Sequence, residues 1–450
     1  MQRPYEQSGE YRMKIAFISA TSGFTLGTAA HLIRRPELAD GTTLSLYAPA
    51  EEREDLEIMT KAVDMMAQGE KRGLKVESTS DRKRALEGGD FVVTALRAGR
   101  LEGHRIDIEL PKEYGIYEIV GDTINPGGVF AALRNYGVIG AIAEDMKRYS
   151  KKRAWILNMS NPEGSICRMV SQGNGVPIVG LCPGIYGIKR FLAKVLEVDE
   201  SRLVVEISGF NHLTWVTRLE LDGQDAYPLL HRTYEEKGDH GQPVSFLLFK
   251  QFGLYPAPAD RHVAEFFPFF LGDDSNRGAD YGLVLRDVDA MIRSRQQGWA
   301  ELKQRIEQGN LGELYQHLGG EAMGGYMIAE VLEGLVTGRP RTLQCNTAND
   351  TAQSQAIQDM PVGAFVEVPS TIDRAGVHPA RVSSLPIGVA SLLHRFFCQQ
   401  ALIVKAALEG DRQAIVEALL LDPSLRRLEH AEQITDRMLE AHAPYLPMFQ

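Results

Sequence analysis

The sequence predicts an α/β protein, with a doubly wound parallel sheet over residues 12–195 followed by an α+β region over 196–450. Three observations lead there. Short apolar runs alternate with helical spacing through the first part of the chain, as a series of βαβ units requires. Turn residues close those runs at their C-terminal ends, as in "SATSG", "NMSNP" and "LCPG". From about residue 196 the pattern changes, and "RLVVEISGFNHLTWVTRLELDG" alternates apolar and polar residues as antiparallel strands do.

The elements follow in order. "KIAFIS" is a short apolar strand, and Thr25 to Arg34 continues with helical spacing. "TTLSLYAP" is a second strand, and Leu56 to Arg72 reads as a helix with Met and Ala on one face. Phe91 to Leu96 is a third strand after a Gly-Gly turn. "GGVFAALRNYGVIGAIAEDMKRYS" is a long helix or a helix pair, and "AWILNMSNP" and "VPIVGLCPG" are strands ended by proline turns. In the second region Phe246 to Phe270 is rich in aromatics. Residues 284–337 and 388–442 read mainly as helices, and "FVEVPSTIDRAGVHPARVSSLP" reads as a strand followed by a loop. The second region is expected to complete the site and to carry an oligomer interface.

Composition narrows the function classes. Forty-nine basic against 59 acidic residues give a net charge of −10, which argues against a nucleic-acid or anionic-membrane surface. The four cysteines form no C-x-x-C, so neither a zinc ribbon nor a disulfide framework is indicated. The start, "MQRPYEQSGEYRM", is polar, and the apolar run after it is too short for a membrane span. A reducing, cytoplasmic setting is expected.

The chemistry should lie in loops at the C-terminal ends of the parallel strands. After the first strand, where G-x-G-x-x-G would cradle a pyrophosphate, the chain reads Ser19, Ala20, Thr21, Ser22, Gly23 and Phe24. Two readings stay open: a dinucleotide site without its usual glycines, or a Rossmann-like shell without a cofactor. Cys182 and His212 offer a soft sulfur and an imidazole to a divalent transition metal, with positions left open for Lewis-acid chemistry. Each alone reads more simply as a core residue. Asp260, Arg261, His262 and Glu265 form a charged patch beside phenylalanines. It reads as a general base with sugar- or carboxylate-binding neighbours, or as a solvated loop.

Taken together, "VGDTINPGG" (120–128), "NMSNP" (158–162), "GLCPG" (180–184), "GFNH" (209–212), "FGLYPAPADRHVAEFFP" (252–268) and "VHP…LP" (377–386) resemble family 4 of the glycoside hydrolases. They lie nearest its α-galacturonidase and α-galactosidase branch. The resemblance implies hydrolysis of an α-glycoside with NAD and a Mn²⁺-type metal. The sugar would be oxidised at C3 and lose its C2 proton, the aglycone would leave C1, water would add, and the hydride would return. This family stands apart from two-carboxylate glycosidases. Carried over, Cys182 and His212 correspond to metal ligands, Asp260 to the C2 base, and Asn161 and Asn211 to sugar-hydroxyl contacts. Arg261 and His262 correspond to substrate contacts, Arg261 suiting a uronate. Ser19, Thr21, Ser22, Gly23 and Phe24 correspond to the NAD loop. The resemblance also implies a homodimer or homotetramer with a small glycoside as its partner.

The chain departs from the family pattern at three places. Its phosphate loop lacks the glycines that allow close approach. Ala48 stands where an acid would hold the adenosine ribose, leaving Glu51 and Glu52 as solvated acids at a helix start, or as substitutes if the backbone bends. Pro183-Gly184 follows the metal-site cysteine and offers no proton donor. The alternative reading is therefore a divergent homologue with lost or altered NAD binding, acting in sugar binding or regulation or with changed chemistry.

Overall fold

The computed structural model describes residues 13–318, 325–350 and 355–450. The polar N-terminal stretch and part of the predicted 284–337 helical region lie outside them.

Among the described residues, thirteen strands form one sheet. The first six are β1 (Lys14–Ile18), β2 (Thr43–Tyr47), β3 (Lys75–Thr79), β4 (Phe91–Thr94), β5 (Trp155–Asn158) and β6 (Ile178–Gly180). They are all parallel, in the order β6-β5-β4-β1-β2-β3. This is the doubly wound arrangement the sequence predicts. The order reverses beside β1, so the loops after β1 and β4 flank a crevice. Successive residues of β1 point to opposite faces: Ile15 and Phe17 enter one core with Leu44 and Leu332, while Ala16 and Ile18 enter the other with Phe130 and Ile156. Burial on both faces explains why these strands read as continuous apolar runs.

The remaining strands extend the same sheet. They are β7 (Leu203–Phe210), β8 (Leu213–Leu221), β9 (Gln224–Asp225), β10 (Pro256–Ala257), β11 (Arg341–Ala348), β12 (Phe365–Asp373) and β13 (Gly376–Pro379). β11 pairs antiparallel with β6, and β12 then joins β11 to β7. Three elements differ from expectation. β3 is a largely half-exposed polar strand. β11 follows a stretch expected to be helical. β13 forms a hairpin with β12 where a loop was expected. "GGVFAALRNYG…" is one helix, Asn125–Tyr149, opened by Pro126 near its N-terminus.

Two helices meet unusually closely. The Gly325–Thr337 helix packs on the Phe24–Ile33 helix, and a Cβ at Gly325 would stand 2.3 Å from the Gly27 carbonyl carbon. Glycine there sets the position of the helix that follows the first loop. The Ile387–Glu409 helix is long and apolar enough to span a bilayer by length and composition. Its Val389, Leu393, Phe396 and Phe397 are buried in the protein's own core.

Candidate active site

Two adjoining cavities open at the C-terminal ends of the parallel strands. The larger, about 1130 Å³, is walled by the loops after β1, β2, β4 and β5. The smaller, about 510 Å³, is walled by the segment after β6, the β7–β8 turn and residues 258–262. Phe24, Asp122, Met159 and Asn161 belong to both walls.

Ser19, Thr21, Ser22, Gly23 and Phe24 all line the larger cavity. Ser19 adopts a left-handed backbone, φ 61°, that lets the chain turn sharply out of β1. The turn is held by Ser22 N–H donating to the Ser19 carbonyl at 3.0 Å, and Ala20 N–H donating to the Tyr47 carbonyl at 2.9 Å. It brings the N-terminus of the Phe24–Ile33 helix to the cavity, where a helix end favours an anion. A Cβ at Gly23 would meet nothing within 4 Å, so space remains in front of the loop. These features fit a dinucleotide.

Ala48 is fully buried and offers no polar group. Glu51 is exposed, as expected, but Glu52 is not: its side chain is 10 % exposed and lines the larger cavity. The reading of Glu52 as a solvated acid is corrected. A 3-10 turn, Ala50–Glu52, carries it inward. There it accepts a hydrogen bond from the Thr21 hydroxyl and pairs with Arg100 at 2.7 Å.

Cys182, His212 and His262 line the smaller cavity. His212 sits at a left-handed turn position, φ 69°, between β7 and β8. The Thr123 hydroxyl meets its Nδ1 at 2.6 Å, which leaves Nε2 as the free ring nitrogen. Burial lowers the His212 pKa to about 4 and that of His262 to about 3, so both rings are neutral. Neutral imidazole is the ligand form. Burial, with the charges of Glu367 and Glu163, pushes the Cys182 thiol well up, the state a bound cation would reverse. Asn211 donates to Glu367 at 2.8 Å, while its own Oδ1 is buried without a partner, as is Nδ1 of His262. A sulfur, an imidazole and unpaired polar oxygen and nitrogen atoms offer a mixed ligand set to a divalent transition-metal cation. Among the described residues no three His, Cys, Asp or Glu side chains cluster to enclose a metal, so Cys182 and His212 would form an open site.

Asn161 stands at the junction of the cavities. Asn211, Asp260 and Arg261 are not on either wall. Both Asp260 oxygens accept backbone N–H bonds, from Val244 at 2.8 Å and Ser245 at 2.7 Å, at the start of the Pro243–Phe252 helix. Arg261 is exposed and reaches the Ile119 carbonyl at 3.3 Å. Sequence reasoning missed Arg286 and Glu163. Arg286 lines the smaller cavity with its Nε buried and unpaired. Glu163 lines it too, and burial and Glu367 raise its carboxyl well above the usual range. Glu163 directly follows the recognised "NMSNP" turn, whereas Arg286 lies in a connection with no motif beside it.

Comparison with known proteins is decisive about the family. Residues 14–198 match the family 4 glycosyl hydrolase model, and residues 207–425 match the family 4 glycosyl hydrolase C-terminal domain. The chain belongs to family 4 of the glycosyl hydrolases. It is a glycosidase. This family 4 chain is 27 % identical over 382 residues to an alpha-galactosidase of Bacillus subtilis, covering 83 % of this chain and 86 % of the relative. It is 28 % identical over 404 residues to an alpha-galacturonidase of Lachnoclostridium phytofermentans, covering 82 % and 83 %. Among solved structures, lplD of Bacillus subtilis superposes with a TM-score of 0.84 at 25 % identity, over 95 % of this chain and all of that one, 100 %. A 6-phospho-alpha-glucosidase from gut microorganisms, solved in complex with NAD and Mn²⁺, shares the fold with a TM-score of 0.82 at 21 % identity, over 98 % and 100 %.

Proposed function

We propose that this glycosidase cleaves α-galacturonides or α-galactosides, using NAD and a divalent cation of the Mn²⁺ type. The observation that carries the reading is the shared wall. A cavity with a dinucleotide-type turn meets a cavity holding Cys182 and His212, and Asn161 stands between them. The pair of cofactors supplies reversible oxidation of a ring hydroxyl and Lewis-acid polarisation of its oxygens.

The chain's residues take the following roles. Cys182 and His212 hold the cation, and Thr123 fixes the His212 ring. Asn161 orients a sugar hydroxyl at the junction. His262, neutral and unpaired at Nδ1, accepts a hydrogen bond from the sugar. Pro183 has no proton to give, but Glu163 on the same wall, its carboxyl raised by burial and by Glu367, is the acid placed to protonate the leaving group. Arg286, whose guanidinium reaches the Val120 carbonyl at 3.4 Å but whose buried Nε has no partner, favours a galacturonide over a galactoside, because a carboxylate would satisfy that Nε. For Asp260 to act as the C2 base, its carboxylate must first leave the helix end it occupies.

Aryl α-galacturonide and α-galactoside should be assayed with NAD⁺ and Mn²⁺ each present or withheld. Turnover should require both and should be faster on the galacturonide. Turnover indifferent to NAD⁺, or no turnover of either substrate, would overturn the proposal.

A further inference from the structure

We propose that Glu52 is the residue that reads the adenosine ribose, and that its ion pair with Arg100 sets the choice between NAD⁺ and NADP⁺. This inference rests on the NAD reading above and names a residue for it. In parallel sheets of this kind an acid at the end of the second strand accepts hydrogen bonds from the ribose hydroxyls. Here that strand ends at Tyr47 and is followed by buried, apolar Ala48. The acid arrives four residues later, by way of the Ala50–Glu52 turn.

Geometry separates Glu52 from its neighbour. Both line the cavity, but Glu51 is 67 % exposed, whereas the Glu52 side chain is only 10 % exposed. Two loops that flank the crevice hold it. Thr21, from the loop after β1, donates to Oε2, and Arg100, from the segment after β4, meets Oε1 at 2.7 Å. A carboxylate has about four acceptor positions, and two are used, so each oxygen can still take a ribose hydroxyl. The same position disfavours a 2′-phosphate, whose charge would face the carboxylate.

Arg100 gives the pair its second property. Arg100 lines the same cavity, and its guanidinium is tied to Glu52 at 2.7 Å, with the exposed Glu51 farther off at 4.0 Å. With the acid neutralised, Arg100 becomes available to a 2′-phosphate, which a guanidinium matches with two parallel hydrogen bonds. One substitution therefore weakens one nucleotide and strengthens the other. A carboxylate that only pinned the loops would weaken both alike.

The test is calorimetric titration of the full chain with NAD⁺ and with NADP⁺. Wild type should bind NAD⁺ at least about tenfold more tightly than NADP⁺. Glu52→Gln should lose about tenfold in NAD⁺ affinity and bind NADP⁺ at least as well as NAD⁺. Adding Arg100→Ala to it should remove the NADP⁺ gain. Arg100→Ala alone keeps the carboxylate and should still prefer NAD⁺, which covers the case of a poorly folded Glu52 variant. If wild type binds NAD⁺ while Glu52→Gln keeps its affinity and its rejection of NADP⁺, the Glu52 assignment fails and the NAD reading stands. Equal binding of NADP⁺ by Arg100→Ala alone also overturns it. If wild type binds neither nucleotide, both fall together.

Discussion

The Thr123 hydroxyl stands 2.6 Å from Nδ1 of His212. The contact joins the "VGDT" segment to the β7–β8 turn and decides which ring nitrogen is free. Partners of this kind typically carry 10–100-fold in metal affinity. Thr123→Val keeps the shape and removes the hydroxyl. Its Mn²⁺ affinity, read by calorimetry, should fall by about that range. Unchanged affinity would mean that Thr123 does not orient His212.

Asp260 tests helix capping against proton abstraction. Its carboxylate accepts from the Val244 and Ser245 amides. Asp260→Asn should cost about 1 kcal/mol of stability through loss of a charged acceptor at a helix start. Residual turnover should still carry solvent deuterium into C2 of the product. An unchanged Tm with loss of that exchange would instead identify Asp260 as the base.

Glu265 gives a pH signature. It accepts from the Val120 and Gly121 amides at 2.6 and 2.7 Å, and burial pushes its carboxyl up to about 7. The unfolded value is about 4.3. The folded group therefore holds its proton more tightly. That contribution is complete below about pH 4.3 and is lost as pH rises through about 7. Glu265→Gln cannot ionise, so its Tm should fall less than that of wild type toward pH 9. The difference in stability should be on the order of 4 kcal/mol. Parallel Tm curves would refute the assignment.

Gly325→Ala probes the close helix pair. The new Cβ would meet the Gly27 and Thr28 backbone at 2.3 Å, where no flexible side chain can yield. A loss of about 1–3 kcal/mol is expected, with weaker NAD⁺ binding because the displaced helix begins at the cavity. A Tm and NAD⁺ affinity equal to wild type would show that the pair relaxes freely.

The sequence was legible where burial is symmetric or motifs sit at strand ends. β1, β4, β5 and β6 are apolar on both faces and stood out. β3, "KVEST", has one exposed and four half-buried residues and left no apolar run to find. β11, "RTLQCNTA", is buried in its middle yet carries polar Gln and Asn there. In the site, Cys182, His212, His262 and Asn161 all reach the smaller cavity. Asp260 and Arg261 do not, because they share one short helix with His262. Neighbours on a helix point about 100° apart, and adjacency cannot say which faces inward. Arg286 was invisible for another reason: the fold brings it in from a connection whose own sequence carries no sign of the site.

The single sheet has a mechanical consequence. Glu367 on β12 meets Gly209 on β7, and Asn346 on β11 meets Gly180 on β6, so the strands that lead into Cys182 and His212 are linked through a common sheet. The two halves of the chain are not jaws on a hinge. Sugar and nucleotide have to come and go through the cavity mouths. Loops, rather than swinging lobes, must set the pace of that traffic, and small-angle scattering should give one radius for the protomer whether the chambers are full or empty.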